Sequence, residues 1–264
     1  MTNSTPSGPA LEALRHELDD IDDQMLVLLG KRFTVTEQVK SFKQVTAKSV
    51  ASPLRPAREA QILRRLLGKA DSLGLSHQLV LQLWRSILTQ SSASQASITI
   101  HFSRKLSSAV GHRLRLRDHF GAMAVEQWRD EAQAMMQINA TPGDLCVVEM
   151  ESAWVVPFLA GQAGTAQVIG TLPVLKDGDV PQLLILGNAP AEPTGNDETL
   201  LITQGKLPRD FSLQPLWQIK SGGYWLSALA GFFSEHESPL VGLTRSNASL
   251  GLKLAGRYPS AFEV

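Results

Sequence analysis

The longest hydrophobic pattern in the chain runs along its first 46 residues. Apolar side chains recur at heptad spacing, at Leu11, Leu14, Leu18, Ile21, Met25, Leu28, Val35, Val39 and Phe42. This spacing predicts one amphipathic helix over residues 9–46, about 50 Å long at ~1.5 Å per residue. A helix of that length exceeds what a small domain covers by itself, so we expect a partner chain to cover the stripe.

Residue 32 interrupts this stripe, because an arginine stands where the heptad spacing requires an apolar side chain. Arg32 cannot lose its proton, and burying it costs several kcal/mol unless an anion meets it. No carboxylate lies one helical turn away on the same face. We therefore expect a ligand to supply the anion.

Two shorter helices follow the long one. Apolar spacing predicts a second helix over residues 57–70, after a loop that contains prolines. Ser76 is then the expected N-cap of a third helix. Continued by sevens, the apolar face of this helix reaches Ser91 and Gln95, which are polar and four residues apart. Either the helix emerges into solvent there, or the two side chains serve a site.

The sequence changes character after Ser97, where short β-rich runs alternate with turns that contain glycine and proline. The predicted strands cover residues 98–102, 145–149, 182–186 and 199–203, and a helix is predicted over about 122–138. The expected fold is an all-α N-terminal domain over residues 9–97 and an α/β domain over residues 98–264. Residues 1–8 are expected to be disordered.

Composition narrows the possible functions. The 25 lysines and arginines balance 25 aspartates and glutamates, which argues against nucleic acid or an acidic membrane as a partner. The single cysteine, Cys146, excludes an intrachain disulfide and indicates a reducing compartment such as the cytoplasm. The uncharged stretch between Glu151 and Lys176 could span a bilayer, but its prolines, glycines and glutamines favour a buried α/β core.

Three weaker signals have simple structural explanations. Arg113, Arg115 and Arg117 alternate as on one face of a strand, and a solvated or anion-facing surface is favoured over nucleic-acid contact. The glycine pairs at residues 161–164 and 222–223 predict turns rather than phosphate-binding loops. The six histidines show no metal-ligand spacing, so no metal site is expected.

The charged residues of the helical segment form a set suited to a small dianion. Arg32 and Lys43 lie nearly on one helix face, roughly 16 Å apart along it, whereas Arg15 lies about 100° away and could serve a second site across a dimer. Arg58 and Glu59 follow near the start of the second helix. Arginines hold carboxylates, lysine and glutamine donate to an oxygen that gains charge, and glutamate accepts from a hydroxyl.

Seven polar positions of this segment fall in the order found in a known family. They lie in the run from Leu11 to Arg15, the pair Lys31 and Arg32, Lys43, the run from Arg55 to Glu59, and Ser91 with Gln95. Over residues 9–97 the chain resembles the all-helical class of chorismate mutases. The resemblance implies an intertwined homodimer of three-helix protomers, joined through the long first helix. It also implies chorismate as the substrate, prephenate as the product, and no cofactor.

The resemblance implies a role for each basic residue of the set and for the glutamine. Arg15 and Arg32 would clamp the substrate carboxylates, with Arg58 near the same end. Lys43 and Gln95 would donate hydrogen bonds to the ether oxygen of the breaking bond. One cation and one amide donor of this kind suit an oxygen that becomes more negative in the transition state.

The remaining positions include one departure from the family pattern. By resemblance, Glu59 would accept a hydrogen bond from the ring hydroxyl, and Ser91 would position a carboxylate or its water. Many relatives carry an aspartate where this chain has Arg55. We expect Arg55, as a substrate-binding residue, to alter affinity rather than to abolish activity.

A helical mutase followed by an α/β domain resembles the bifunctional chorismate mutase–prephenate dehydratase architecture. Residues 144–152 are similar to a dehydratase strand that ends in Glu-Asn-Ser, and residues 196–202 occupy the place of the Thr-Arg-Phe strand. The Thr-Arg-Phe motif and the Gly-Thr-Phe-Ser loop are missing. The resemblance therefore implies a degenerate dehydratase-like domain. Two alternatives remain, a bifunctional enzyme and a non-catalytic helical dimeriser whose second domain senses a metabolite.

Overall fold

The computed structural model describes residues 8–46 and 54–263, and its two compact units divide after residue 51. The first unit contains helix α1 (Gly8–Thr46), which confirms the long helix predicted from the heptads. Every apolar side chain of its stripe is exposed, from 46% at Leu11 to 69% at Phe42. Residues 1–7, which are expected to be disordered, lie outside the described part of the chain.

The second unit begins with a helical hairpin. Helix α2 (Pro56–Ala70) and helix α3 (His77–Ala93) are joined by a 3₁₀ turn at Asp71–Leu73. The predicted N-cap is confirmed, because the Ser76 hydroxyl accepts a hydrogen bond from the Leu79 amide at 3.2 Å. The proline that opens α2 has no amide hydrogen to leave unpaired, which favours a helix start at this position.

The remainder of the described chain forms a mixed sheet with helices around it. Its strands are β1 (Thr99–Ser103), β2 (Ala124–Trp128), β3 (Leu145–Glu149), β4 (Gln167–Leu172), β5 (Leu183–Gly187), β6 (Asp197–Thr203), β7 (Trp217–Ser221), β8 (Tyr224–Ala230) and β9 (Lys253–Pro259). Their spatial order is β2-β1-β3-β5-β4-β9-β6-β8-β7. β1 runs parallel to β2 and β3, and β4 runs parallel to β9, whereas the other neighbours are antiparallel. The four strands predicted from sequence are confirmed as β1, β3, β5 and β6.

Five short α-helices accompany the sheet. They are α4 (Arg104–Ser108), α5 (Val110–Phe120), α6 (Glu131–Ala140), α7 (Val155–Leu159) and α8 (Leu240–Ser246), followed by a 3₁₀ turn at Ala248–Leu250. The central strands β3 and β5 are buried almost along their full length. Strands covered on both faces have continuous apolar sequences, which is why these two runs could be recognised directly.

Helices α2 and α3 pack on this sheet. Leu63, Leu67, Val80 and Leu88 share one buried cluster with Phe262, which follows the last strand. The guanidinium of Arg64 lies 5.8 Å from the centre of the Phe262 ring. The hairpin and the α/β part therefore form one compact unit. The domain boundary after residue 97 stays a prediction.

The helix predicted over residues 122–138 is wrong in its first half. Residues 124–128 form β2, which pairs in parallel with β1 along its whole length. Alanine, glutamate and glutamine favour a helix there, but pairing with a buried neighbouring strand outweighs that local preference. Helix α6 starts only at Glu131, where Asp130 caps it by accepting from the Gln133 amide at 3.0 Å.

The strand predicted around three alternating arginines is also wrong. Residues 110–120 form helix α5, which buries Leu116 and Phe120 one turn apart. Residues two apart on a helix point in nearly opposite directions, so Arg115 points away from the face that Arg113 and Arg117, four residues apart, share. Arg115 instead bonds Asp177 at 3.2 Å.

The uncharged stretch between Glu151 and Lys176 is core, as predicted. It supplies α7 and β4, and its Trp154, Val155 and Val168 are fully buried. Over residues 8–46 and 54–263, no helix combines the length and the apolar character that a membrane crossing requires. The predicted turn at Gly222 and Gly223 is confirmed, because both have positive φ and together they connect β7 to β8.

Candidate active site

The candidate residues of α1 lie along a helix that is exposed for most of its length. Arg15 is exposed and bonds Glu12 at 3.3 Å, one turn earlier. Arg32 is half-buried, and this burial lowers the pKa of its guanidinium from the ordinary value. Lys43 belongs to α1 by its backbone, but its side chain lies outside the described part. Of the candidate arginines on α1, one is therefore exposed and the other half-buried.

Three further candidates stand at the start of α2. Arg55 precedes the helix and donates to Glu192 at 2.5 Å, with both side chains partly exposed. Arg58 is exposed on the first turn. Glu59, on the same turn, is largely buried, with 18% of its side chain exposed. The two side chains therefore have different surroundings. Arg55 bonds a residue of the α/β part, whereas Glu59 belongs to a buried network.

That network joins Glu59 to two residues not predicted from the sequence. Arg85 of α3 donates from Nη1 to Glu59 Oε2 at 2.7 Å. Its Nη2 lies 2.8 Å from His119 Nε2 and 3.4 Å from the His119 carbonyl. Thr89 donates to the same carbonyl at 3.2 Å. A carboxylate, a guanidinium and an imidazole thus form a continuous chain from α2 through α3 to α5.

The protonation state of His119 follows from its partners. A guanidinium donates only, so His119 Nε2 must accept, and the ring proton must lie on Nδ1. Burial lowers the pKa of His119 well below its ordinary value, and the positive charge of Arg85 lowers it further. His119 is therefore neutral near pH 7 and acts as a hydrogen-bond acceptor towards Arg85.

A cavity of about 90 Å³ lies beside this network. Glu59, Arg85, Thr89 and His119 form part of its wall, and apolar side chains such as Phe120 form most of the rest. Its volume exceeds what a single water needs. Glu59 thus faces a small, mostly apolar space that is shared by α2, α3 and the α/β part.

Ser91 and Gln95 do not follow the pattern expected from the sequence. Ser91 is buried, so α3 does not emerge into solvent there, and its hydroxyl donates to the Ile87 carbonyl at 2.8 Å. Helix α3 ends at Ala93, so Gln95 lies in the following turn rather than one helical turn beyond Ser91. The Gln95 amide donates to the Ser91 carbonyl at 3.0 Å. The residues are neighbours, although not on a shared helix face.

The sequence contained a signal for Arg85 but none for His119. A helical hairpin that turns near Leu73 places Glu59 opposite roughly residue 88, one turn from Arg85. A partner for Glu59 could therefore have been sought there. His119 reaches the network only because α5 packs against α3, and no short-range pattern reports that contact.

The α/β part contains a second perturbed carboxyl group. Glu198 of β6 accepts a hydrogen bond from the Tyr258 hydroxyl at 3.2 Å. Burial raises the pKa of Glu198 despite hydrogen bonds from Tyr258, Trp217 and Ser260. Burial and the neighbouring Glu198 raise the pKa of Tyr258 well above its ordinary value. Within the described ranges, no group of three or more His, Cys, Asp or Glu side chains is arranged to hold a metal ion.

The helical residues match one protein family. The model of the family described as chorismate mutase type II matches residues 14–96. Residues 14–96, called the mutase segment below, are similar to type II chorismate mutases. The match spans all eight candidate residues, from Arg15 to Gln95, and the family is one of isomerase enzymes. The resemblance predicted from the sequence is confirmed for this mutase segment.

The other comparisons add little beyond this match. No curated protein matches the chain. A solved structure described as GqqA, a novel type of quorum quenching acylases, is 14% identical, with 61% of this chain and 95% of that chain covered and a TM-score of 0.43. Prephenate dehydratase from Streptococcus mutans is 15% identical, with 62% and 100% covered and a TM-score of 0.37.

Proposed function

We propose that this protein rearranges chorismate to prephenate in the biosynthesis of phenylalanine and tyrosine. The observation that carries the proposal is the family match over residues 14–96, which contains every residue predicted to bind the substrate. The reaction is unimolecular and needs neither a cofactor nor a covalent intermediate. The protein has to hold the reactive conformer and to stabilise the charge that develops on the ether oxygen.

The roles proposed for the candidate residues follow this chemistry. Arg15, Arg32 and Arg58 bind the carboxylates, for which planar guanidinium groups are well suited. Lys43 and Gln95 donate hydrogen bonds to the ether oxygen. Glu59 accepts a hydrogen bond from the ring hydroxyl, Ser91 positions a carboxylate or its water, and Arg55 tunes affinity for the substrate. The half-buried position of Arg32 on α1 supports its assignment, because partial burial strengthens a charge-assisted hydrogen bond.

We further propose that the protein acts as a homodimer through α1. Ten heptad positions of this helix, from Leu11 to Phe42, include nine exposed apolar side chains. Burying their exposed parts against a second copy would be worth on the order of 10 kcal/mol before the cost of association. A dimer of this kind has the arrangement that the family resemblance implies.

The α/β part is proposed to lack dehydratase activity, and the protein is proposed to work in the cytoplasm. Residues 196–202, which occupy the place of the Thr-Arg-Phe strand, read Asn-Asp-Glu-Thr-Leu-Leu-Ile and supply no arginine. Free, buried Cys146 is compatible with a reducing compartment. Neither nucleic acid nor a membrane is proposed as a partner, because the charges of the whole chain cancel.

The first test is an assay of the purified full chain with chorismate, in which turnover is measured as the loss of chorismate absorbance. The reaction is then quenched without acid, and the products are analysed. Prephenate as the sole product would support the proposal in full. Phenylpyruvate would contradict the assignment of the α/β part as inactive. The absence of turnover would contradict the mutase proposal and favour the helical dimeriser.

The sharpest variant for this assay is Arg32→Leu. Loss of a charged group that binds a carboxylate is expected to lower kcat/KM by about a hundredfold or more. The stripe of α1 becomes uniformly apolar, so the helix content should be retained by circular dichroism. Arg65→Leu, at an exposed position of α2, makes the same change as a control and should leave kcat/KM close to wild type. Equal activity of Arg32→Leu and wild type would overturn the site assignment.

A further inference from the structure

We propose that His119, from helix α5 of the α/β part, is a positioning residue for the mutase reaction and acts on Glu59 through Arg85. The proposal rests on the proposed function, in which Glu59 accepts a hydrogen bond from the substrate. It gives the α/β part a role in mutase activity that does not require any chemistry of its own. His119 touches Arg85, and Arg85 touches Glu59.

The first step is the contact between Arg85 and Glu59. Their ion pair is 2.7 Å long, and only 11% of the Arg85 side chain and 18% of the Glu59 side chain are exposed. A charge-assisted hydrogen bond in such surroundings is short and strongly directional. A carboxylate has about four acceptor positions, and Arg85 bonds Oε2, so Glu59 keeps the capacity to accept from a substrate hydroxyl. Arg85 therefore fixes the orientation of Glu59 and leaves acceptor positions of its carboxylate for the substrate hydroxyl.

The second step is the contact between His119 and Arg85. The long arginine side chain has many rotamers, and its guanidinium remains in place only if both of its ends are held. Glu59 holds Nη1, and the imidazole Nε2 of His119 holds Nη2 at 2.8 Å. Thr89 in turn donates to the His119 carbonyl at 3.2 Å, which ties the end of α5 to α3. The orientation of Glu59 thus depends on a residue outside the mutase segment.

The same network contains polar atoms that stability does not explain. Arg85 Nε and His119 Nδ1 are both buried and have no hydrogen-bond partner among the described residues. Buried polar networks that serve only the fold are normally fully satisfied, because each unpaired donor is unfavourable. His119 also packs edge-on against Phe120, with ring centres 4.6 Å apart, and an apolar ring could provide that packing. His119 Nε2, the atom that accepts from Arg85 at 2.8 Å, is the part of this side chain that an apolar ring would lack.

The test uses the full chain and the substitution His119→Phe, which keeps an aromatic ring and removes the acceptor. We expect kcat/KM for chorismate to fall about tenfold, as for the loss of one hydrogen bond to a charged group. His119→Gln offers a carbonyl oxygen that can accept from Arg85, and it should recover most of that loss. His112→Phe makes the matched change on the same helix, where His112 instead bonds Glu149 at 3.1 Å, and should leave kcat/KM unchanged.

A double-mutant cycle separates a positioning role from a merely structural one. If His119 acts through Glu59, His119→Phe should have little further effect in a Glu59→Gln background. Equal losses in both backgrounds, or no loss in the wild-type background, would overturn the inference. If His119→Phe folds poorly, Arg85→Gln replaces it in the same cycle, and its loss of kcat/KM should likewise be small in the Glu59→Gln background. No turnover by the wild-type chain would be a failure of the proposed function, whereas an active chain indifferent to His119 would be a failure of this inference alone.

Discussion

Helix α1 and the α2–α3 hairpin belong to one mutase segment but differ in how their apolar faces are covered. The stripe of α1 is exposed, with 61% of Leu18 and 63% of Leu28 accessible. In the hairpin, Leu63 is only 2% exposed and shares a cluster with Phe262 from the other end of the chain. The apolar face of the hairpin is therefore covered within the chain, whereas the stripe of α1 is exposed and is the surface proposed to contact a second copy.

This difference changes how the α/β part can be understood. Its C-terminal segment supplies Phe262 to the hairpin core, and His119 supplies an acceptor to the network around Glu59. In the proposed function, the α/β part thus supports the mutase site through contacts rather than through chemistry of its own. The comparison also separates the two kinds of failure that substitutions should cause, loss of folding in the hairpin and loss of association in α1.

The largest effect on stability is expected for Leu63→Ala. This substitution removes a side chain that is 2% exposed and leaves a cavity in the cluster with Phe262. The free energy of unfolding should fall by about 2–5 kcal/mol, as measured by urea denaturation. Leu26→Ala in α1 makes the same chemical change at a position that is 66% exposed, and it should cost less than about 0.5 kcal/mol. Equal costs would mean that the two helical regions do not differ as described.

The sequence allowed part of this contrast to be predicted. The heptads of α1 and the cap at Ser76 are local signals, and both are confirmed because a helix is specified by residues three or four apart. β2 was missed because its strand conformation depends on pairing with β1 rather than on its own residues. His119 was missed for the same reason, since its role depends on the packing of α5 against α3.

A second, smaller effect is expected on association. Leu18→Asp places a charge in the centre of the exposed α1 stripe, and burying it in a dimer is unfavourable. The dissociation constant of the proposed dimer should rise by at least about a hundredfold, measured by light scattering over a concentration series. His16→Asp adds a carboxylate to the opposite face of the same helix, so it should leave the dimer intact. A Leu18→Asp protein that is still dimeric at low concentration would assign the dimer contact to another surface.

The smallest effect is expected where α2 begins, at Arg55→Asp. The Arg55–Glu192 pair is partly exposed, with 35% and 42% of the side chains accessible, so its loss should cost no more than about 1 kcal/mol in urea denaturation. A carboxylate at position 55 would also face Glu192 with the same charge, so the start of α2 should loosen next to Arg58 and Glu59. We therefore expect a change of a few-fold in KM for chorismate with kcat nearly constant. Arg65→Asp, an equal change of charge at an exposed position of α2, is the control for general electrostatic effects. If Arg55→Asp instead raised kcat by orders of magnitude, Arg55 would be a defect in the catalytic set rather than an anchor between α2 and the α/β part.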